Sequence, residues 1–531
     1  MRNLPRKREI SRREFFRHLA GGAFVSFLSS FPRPTRAGVN TRNDLFWVKN
    51  IPDHPFYGGG NGHYHIGLDA LLYLMGEKGL KFYNSSKETA LSGPTGMIGP
   101  EDVVLIKVNA QWKYRGSTNS DLVRGLIQRI LSHPDMFTGE VVIFENGQGR
   151  GSLNCDTSPS YPDANVHANA NNESQSFLYL VNSIFKDSRV SAYLLDPIRN
   201  KFIGENDHRN DGYRVYENIS YPCFTTAGGH RVELREGIWK GMSHNQNLKL
   251  INVPVLKHHD QGGSEITASL KHFYGVVSMS DGQSGFRHYS GLGNTCGKMI
   301  VSVSTPVLNI LDAIWVSYSS LNGYPAGTTF RSNQILASQD PVALDYWAAK
   351  YVLYPIDSNF RHHPSFSGID RWLTDARDMI NGRGGIKKPE RGILVDRVTK
   401  KEEEMSVHSC NSSEFLEGAM ITLSLANLRF VSRSSSTNTP SKYFDVLNSG
   451  GGDFSWRIEK DTDWISCSPE QGEGNGRVNV SVEPRGLRAG KYLATIAVHS
   501  PQASNSPQYL KVTLDVYEYR GKDTPPSLIP V

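Results

Sequence analysis

A short stretch of the chain, residues 252–275, gathers side chains that could do acid–base chemistry or hold an anion or a metal ion. Its sequence, NVPVLKHHDQGGSEITASLKHFYG, places Lys257, His259 and Lys271 close behind an apolar, strand-like segment. Titratable groups at this density beside a buried element are typical of an active or ligand-binding site. We therefore expect this stretch to form the centre of a functional site, with these three residues as its catalytic groups.

Lys107 follows the apolar residues VVLI at 103–106, within a second strand-like segment at 103–109. Ligands of open α/β sheets bind beyond the carboxyl ends of the strands, so lysines that end apolar elements are expected to meet at one edge of the sheet. Together with the two lysines above, Lys107 would suit a carboxylate or a phosphate, with Asn109 and Thr267 as neutral hydrogen-bond partners. The alternative is that the lysines lie apart and extend their ammonium groups into solvent.

His259 has two chemical interpretations. Its imidazole could be a general acid or base, because the ordinary pKa of histidine lies near the working pH. It could also share a divalent metal ion with His288, or with a carboxylate such as Asp312, which is itself a candidate catalytic group. An isolated histidine is more often structural, but the run His-His-Asp beside two glycines keeps a functional role open.

The elements that must position these groups alternate between strand and helix from residue 42 to 400. An apolar strand at 103–109, a helix at 121–131 and a strand at 141–144 follow one another, which predicts a right-handed crossover in a parallel sheet. Asp340 directly before Pro341 predicts the N-cap of a later helix. The sequence therefore predicts an α/β domain with a largely parallel sheet flanked by helices.

Two long polar segments, 147–174 and 204–229, interrupt this pattern. Segments of such length in a compact domain are either functional lids or disordered, and both alternatives stay open. Residues 401–427 are expected to be a linker, and the charged run KKEEE at 400–404, where it begins, is expected to be a solvated connecting segment.

Residues 428–518 alternate apolar and polar positions between Gly- and Ser-rich turns, most clearly at 478–482, 492–498 and 510–516. Period-2 alternation predicts strands with one buried face, so we expect an all-β, immunoglobulin-like sandwich here, followed by a tail at 519–531.

Cysteine usage limits the cofactors. An iron–sulfur cluster or a structural zinc site needs closely spaced thiolates, whereas the five cysteines are far apart, with no C-x-x-C. Both sites are disfavoured, and a divalent metal ion held by histidines is the cofactor left open. An oxidising compartment would permit one or two disulfides, and the odd count leaves a free thiol.

The amino terminus, residues 1–37, is similar to a twin-arginine export signal. It contains SRREFFR at 11–17, a weakly apolar stretch at 19–31 and a cleavage site after Ala37. These residues hold nine Lys or Arg against two Glu, so the remainder of the chain is close to neutral although the net charge is +6. We expect a periplasmic or extracellular protein that uses the twin-arginine machinery, does not bind nucleic acid and has no transmembrane segment once mature.

Several short motifs resemble, in order and spacing, the domain-of-unknown-function family 362. They are IKVN at 106–109, NVPVLKHH at 252–259, ITASLK at 266–271, PVLNILDA at 306–313, GYPAG at 323–327 and LASQDPVALD at 336–345. The resemblance spans about residues 100–355, and its motifs add Asn252 and Gly275 to the candidate ligand-binding residues. The family commonly has Asn where this chain has His272, and many relatives carry ferredoxin-like cysteine clusters that this chain lacks. A redox function is therefore not carried over.

The carboxy-terminal region resembles the BACON-type immunoglobulin-like domains of secreted bacterial enzymes. Trp464-Ile465, Ser468-Pro469 and Gly472, followed by Gly486 and Gly490, carry this resemblance. Such domains are proposed to bind carbohydrate or mucin, although many look like spacers. Trp456 and Trp464 could stack on a sugar, but a tryptophan in a small sandwich is more often part of the core.

The leading hypothesis is an exported protein that has a lysine and histidine site for a small anionic ligand. One version of this hypothesis is that the protein is a metal-assisted enzyme. The alternative is a non-catalytic periplasmic or surface binding protein whose sandwich domain binds glycan.

Overall fold

The structure is a computed structural model that describes residues 43–57, 64–158, 161, 163–388, 392–415, 419, 421–425, 427–436, 439–448, 453–503 and 506–518. The expected export signal at 1–37 and the expected tail at 519–531 lie outside the described residues. None of the helices in the described ranges combines the length and the apolar character needed to cross a bilayer.

The main sheet is mixed and mostly parallel, with ten strands among the described residues. Across the sheet, the strands follow the order Ser406–Asn411, Asp44–Lys49, Thr329–Ser338, Leu308–Ser317, Leu248–Asn252, Val103–Lys107, Glu140–Glu145 and Val190–Leu194. Val255–His258 pairs in parallel with Leu308–Ser317 and antiparallel with Ile266–Thr267. The last four strands of the series are parallel to one another, which confirms the predicted sheet.

Both faces of this sheet are covered. Val103 and Leu105 pack into one apolar cluster and Val104 and Ile106 into the other, because successive side chains of a strand point to opposite faces. A strand buried on both faces is apolar throughout, and this explains the unbroken run VVLI.

Helices cover the two faces. They span Ile66–Glu77, Ser120–Leu131, Phe177–Tyr179, Ser269–Tyr274, Met279–Gly282, Gly285–His288, Leu292–Lys298, Pro341–Ala348, Tyr354–Asp357 and Ser367–Gly382, with π-helical segments at Leu180–Phe185, Met299–Val303 and Ala349–Leu353. Single 3-10 turns lie at Tyr114–Gly116, Asp196–Ile198, Ala326–Thr328, Phe360–His362 and Glu402–Glu404. Asp340 accepts from the backbone N–H groups of Val342 and Ala343, so the predicted N-cap is confirmed.

A second sheet forms where the sequence predicted only a lid or disorder. Its five antiparallel strands in the described residues are Gly212–Tyr216, Ile219–Thr225, Arg231–Glu233, Gly237–Trp239 and His244–Asn245. The prediction for segment 204–229 was wrong because these strands are short and one contains Pro222, a residue that usually marks loops and sheet edges.

The expected linker, 401–427, is not only a connection. Its strand Ser406–Asn411 pairs in parallel with Asp44–Lys49 and forms an edge of the main sheet. The prediction of a plain linker was therefore wrong at this strand, because a single edge strand of mixed polarity leaves no clear periodic pattern.

Further two-residue to four-residue strands are Phe56–Tyr57, Tyr64–His65, Tyr83–Asn84, Ser92–Gly93, Ile386–Lys388 and Gly392–Val395.

The carboxy-terminal sandwich consists of two sheets. One contains Ile421–Leu423, Lys442–Asn448, Gly476–Val482 and Ile465–Ser468, and the other contains Asn427–Arg433, Gln508–Tyr517, Gly490–His499, Ser455–Lys460 and Gln471–Glu473. Trp456 is 3% exposed and lies in the core between these sheets, so its ring does not offer a sugar-stacking surface.

Candidate functional site

The carboxyl ends of three neighbouring parallel strands meet at one edge of the main sheet. Lys107 ends its strand, Asn252 pairs with it as the last residue of the next strand, and Glu145 ends the strand on the other side. Because parallel strands share their direction, these ends open onto the same space, where ligands of α/β sheets bind. A cavity of about 430 Å³ lies there.

We call this cavity the lysine pocket. It is lined by Lys107, Asn109, Gln111, Trp112, Glu145, Gln148, Arg150, Lys257, His259, Asp260, Thr267, Lys271, His272, Tyr274, Gly275, Gly282, Gln283, His288, Tyr289 and Leu321. Eight of the ten residues predicted from sequence are among them. The two others, Asn252 and Asp312, do not line the pocket in the described residues.

Lys107 is buried between acceptors. Its Nζ donates to Glu145 Oε2 and, at 2.8 Å, to the carbonyl oxygen of Val108. Burial lowers the pKa of Lys107 and raises the pKa of Glu145 to about 7, although each opposes the shift of the other. Burial therefore disfavours the charged forms of both Lys107 and Glu145. A further charged group nearby would change the free energy of keeping them charged.

His272 links Lys107 to the strand beside it. Its Nδ1 lies 2.7 Å from Asn252 Oδ1, an acceptor, so Nδ1 carries the proton and Nε2, 3.3 Å from Lys107 Nζ, accepts. Asn252 in turn donates to the carbonyl oxygen of Ser269 at 3.0 Å. Asn252 thus lies behind the pocket wall and orients His272, where we expected it to contact a ligand.

Lys257 projects into the pocket from the strand Val255–His258. Its side chain is 1% exposed, and its Nζ donates to the carbonyl oxygen of Gly116 at 2.7 Å. Burial holds the pKa of Lys257 well below its ordinary value, and the neighbouring charge of Lys107 lowers it further. A carboxylate partner for this ammonium group is absent from the described residues.

Lys271 comes from the helix Ser269–Tyr274. Its Nζ lies 3.0 Å from His288 Nε2 and 4.9 Å from the ring centroid of Tyr274. Burial lowers the pKa of Lys271 to about 7. The helix begins where Asp345 accepts from the backbone N–H groups of Ser269 and Leu270, which fixes the direction in which Lys271 leaves the backbone.

His259 is neutral in this setting, because burial and the adjacent Lys271 hold its pKa well below the ordinary value. The backbone N–H of Asp260 donates to its Nδ1 at 2.7 Å, so the proton of the neutral ring is on Nε2. This tautomer makes His259 a hydrogen-bond donor toward the pocket. It suits hydrogen bonding to an anion better than proton transfer, because the neutral ring has no second proton to give up.

Neutral groups complete the wall. The side-chain oxygens of Asn109 and Thr267 are buried, and neither has a hydrogen-bond partner in the described residues. A Cβ atom at Gly275 would lie 3.4 Å from Lys107 Nζ, so glycine keeps this side of the pocket open. A polar ligand would satisfy the two oxygens, which otherwise remain desolvated.

Three side chains of the site are of the right type and close enough together to bind one metal ion. One potential ligand atom each from His259, Asp260 and His288 lie within 4.8 Å of one another. However, His259 Nδ1 already accepts from a backbone N–H and His288 faces the ammonium group of Lys271. A metal ion there would have to displace Lys271 and reverse the tautomer of His259.

Asp312 does not line the lysine pocket in the described residues. It is fully buried, accepting from the backbone N–H of Asn119 at 2.8 Å and of Ile314 at 3.0 Å. Burial raises its pKa to about 7. Asp312 thus ties the start of a helix to the sheet, and the sequence spacing that made it a candidate catalytic residue does not show whether its side chain faces the pocket.

Sequence reasoning missed Glu145 and Arg150 as charged members of the pocket, whereas Asp260 belongs to the His-His-Asp run that the sequence already indicated. The signal for Glu145 was present, since it ends the strand next to Lys107 in the same manner as Lys107 ends its own. Among the described lining residues, four basic side chains face two carboxylates. The pocket therefore carries a surplus of basic groups.

Comparison with family models identifies two segments. The model described as "Domain of unknown function (DUF362)" matches residues 241–350, and the model described as "Viral BACON domain" matches residues 421–511. The first match is shorter than the resemblance seen in the motifs, but it contains Lys257, His259 and Lys271. No curated protein matches the chain.

Solved structures match only parts of the chain. A GH5 xyloglucanase of Bacteroides ovatus, in complex with a heptasaccharide, is 23% identical over 19% of this chain and 19% of its own, with a TM-score of 0.15. A PapD-like domain of human CEP192 is 15% identical over 19% of this chain and 88% of its own, with a TM-score of 0.17. Likenesses this partial carry no functional argument. The chain thus contains a DUF362 segment at residues 241–350 and a BACON-type domain at residues 421–511.

Proposed function

We propose that the chain is an exported protein whose α/β part binds a small anion in the lysine pocket. The observation that carries the proposal is that Lys107, Lys257 and Lys271 converge on one cavity with few carboxylates to balance them. Burial lowers the pKa of all three amines, so the pocket stabilises their charged forms poorly by itself. A carboxylate or phosphate would supply the missing negative charge.

The neutral groups support a ligand that is polar beyond its charge. The Thr267 hydroxyl can donate to an anion oxygen, and the Asn109 side-chain oxygen accepts from a hydroxyl or an amine. His259 donates from Nε2 on the same side of the site. A small hydroxylated carboxylate or phosphate ester fits this set better than an inorganic anion does.

The test is a ligand screen on the purified full chain. Thermal shift with inorganic phosphate, sulfate and a set of hydroxy acids and sugar phosphates should identify a stabilising anion, and calorimetry should give its affinity. His259→Ala and Lys271→Ala should each weaken that binding while the circular dichroism spectrum is retained. If both variants bind the anion as well as the parent chain, the pocket assignment is wrong.

Catalysis would use the same groups, with His259 as a hydrogen-bond donor that stabilises negative charge on the ligand. The alternative function, a non-catalytic binding protein, predicts that the stabilising anion is recovered unchanged after long incubation with the protein. Analysis of the ligand by mass spectrometry separates the two cases, because only an enzyme changes its composition or structure.

A metal-assisted form of this function is a second candidate. It is favoured by the short mutual distances between His259, Asp260 and His288. Elemental analysis of the purified chain, with and without His288→Ala, tests it. Metal lost with this substitution would support the candidate, and metal that is retained or never present would remove it.

The sandwich supports a role in glycan binding through a cavity of about 730 Å³. Its polar lining includes Arg457, Gln471, Glu473 and His499. A glycan array with the full chain, compared with an Arg457→Ala/His499→Ala variant, tests this role. Signals that are equal for the two proteins, or absent from both, would favour a spacer.

A further inference from the structure

A second cluster of metal-ligating side chains lies on the five-stranded sheet, outside the lysine pocket. Glu233 ends the strand Arg231–Glu233, and His244 begins the strand His244–Asn245. His208 comes from the loop that precedes the strand Gly212–Tyr216. Three segments that are separate in sequence therefore converge at this cluster.

The two imidazoles face one carboxylate. His208 Nδ1 lies 2.5 Å from Glu233 Oε1, and His244 Nε2 lies 2.7 Å from Glu233 Oε2. Each of these nitrogens donates a hydrogen bond to its oxygen in the metal-free form, since a carboxylate only accepts. The donor atoms of all three residues lie within 4.8 Å of one another, so one ion could contact all of them after small side-chain rotations.

Neighbouring groups hold the cluster in place. The indole of Trp239 stacks on His208 with ring centroids 3.8 Å apart and an interplanar angle of 6°. Arg214 Nη1 donates to Glu233 Oε2 at 2.6 Å. Arg214 and His244 both bond Glu233 Oε2, which leaves Oε1 as the oxygen that faces the metal ion. Residues that bond a carboxylate ligand without touching the metal, as Arg214 does here, orient that ligand in metal sites.

Access to solvent distinguishes this cluster from a purely internal hydrogen-bond network. The Glu233 side chain is fully buried, but those of His208 and His244 are 19% and 21% exposed. An ion can therefore reach the imidazoles directly, while the carboxylate beneath them supplies negative charge in a desolvated position. Two imidazoles and one carboxylate are ligands that zinc and other divalent transition metals accept, with positions left for water.

We propose that His208, Glu233 and His244 form a binding site for a divalent transition-metal ion. The ion takes the place of the hydrogen atoms that His208 Nδ1 and His244 Nε2 now direct at Glu233, and each neutral ring keeps one proton, which moves through solvent to its other nitrogen. It would join the loop that carries His208 to two strands of the sheet. The site is independent of the lysine pocket and of any ligand bound there.

The test uses the purified full chain after chelator treatment, titrated with Zn²⁺ in a calorimeter. The His208→Ala/His244→Ala variant should bind one equivalent fewer than the parent chain. The His230→Ala variant, which changes a partly exposed histidine directly before the strand Arg231–Glu233, should bind as many as the parent. The His259→Ala/His288→Ala variant should retain the equivalent assigned here, which separates this site from the candidate in the lysine pocket.

A second readout does not depend on stoichiometry. Because Trp239 stacks on His208, Co²⁺ should quench its fluorescence, and Trp239→Phe should remove that part of the quenching. Circular dichroism of each variant checks that the fold is retained, and Glu233→Gln gives a second substitution of nearly the same shape. Zinc binding that is absent from the parent chain, or unchanged in the His208/His244 variant, overturns the proposal.

Discussion

Lys257 is the clearest test of the anion pocket at the scale of single residues. It is buried, and its Nζ has only a neutral carbonyl as a polar partner in the described residues. Lys257→Met should weaken anion binding about 10-fold to 100-fold, because a charged hydrogen bond contributes about 1.5–3 kcal/mol. Its thermal stability should be equal or higher, since a buried amine is replaced by an apolar chain of similar length.

The matched control for this prediction is Lys249→Met. Lys249 is 5% exposed on the strand Leu248–Asn252, bonds the carbonyl oxygen of Gln246 and lies 3.7 Å from Asp102 Oδ1, but it does not line the pocket. Calorimetry with the anion from the ligand screen should give the parent affinity for this control. Equal losses in the two variants would mean that the effect is general and does not come from the pocket.

Glu145 should make anion binding depend on pH. Burial raises its pKa to about 7, and a bound anion would raise it further by repulsion. The protonated form is thus favoured in the complex, so affinity should increase as the pH falls from about 8 to about 6, with proton uptake on binding. Glu145→Gln should flatten this dependence, and calorimetry in buffers of different ionisation enthalpy measures it. A slope as steep in the variant would assign the proton to another group.

At the scale of elements, the helix Ser269–Tyr274 depends on one carboxylate of another helix. Asp345 accepts from the backbone N–H groups of Ser269 and Leu270 and from the Ser269 hydroxyl. Asp345→Ala leaves the two buried N–H groups without this acceptor, whereas the Ser269 hydroxyl can still donate to the carbonyl oxygen of Pro341, so the free energy of unfolding should fall by roughly 3 kcal/mol. Anion affinity should fall with it, because the helix positions Lys271.

Asn119→Ala is the control for this element. The Asn119 side chain caps the helix Ser120–Leu131, which contributes no side chain to the described pocket lining. Its loss should cost about 1 kcal/mol of stability and leave anion affinity unchanged. Urea unfolding and calorimetry on the two variants measure both quantities. If Asp345→Ala lowers stability but not affinity, the helix does not position the site.

The sequence predicted those elements whose patterns arise from burial. The apolar strand at 103–107 and the helix at 120–131 follow from their hydrophobic spacing, and the ends of such strands correctly pointed to Lys107. The strands of the second sheet pair with their neighbours in sequence but, at two to seven residues, are too short to show a clear pattern, and the edge strand Ser406–Asn411 pairs with Asp44–Lys49, far away along the chain. Sequence alone could not indicate that pairing.

The candidate site shows the same division. Lys257 and Lys271 were predicted together because they are near one another in sequence, whereas Glu145 belongs to the site only through the register of the parallel strands. The cluster at His208 and Glu233 was missed for the same reason, since it depends on a sheet that the sequence did not predict. Motif spacing therefore identifies local groups, and topology supplies their distant partners.

At the scale of the whole molecule, the remaining proposal is export through the twin-arginine route, which carries proteins that have already folded. All five cysteines are buried and unpaired, so folding needs no oxidising compartment and can precede export. Replacing Arg12 and Arg13 together by Lys should retain the chain in the cytoplasm in folded form, as cell fractionation and immunoblotting would measure. In the control, Arg6 and Arg8 are replaced by Lys. The substitution is the same but lies outside the motif, so this variant should be exported normally. Equal export of both variants would contradict the twin-arginine assignment, because only the paired arginines distinguish that route from a general basic leader.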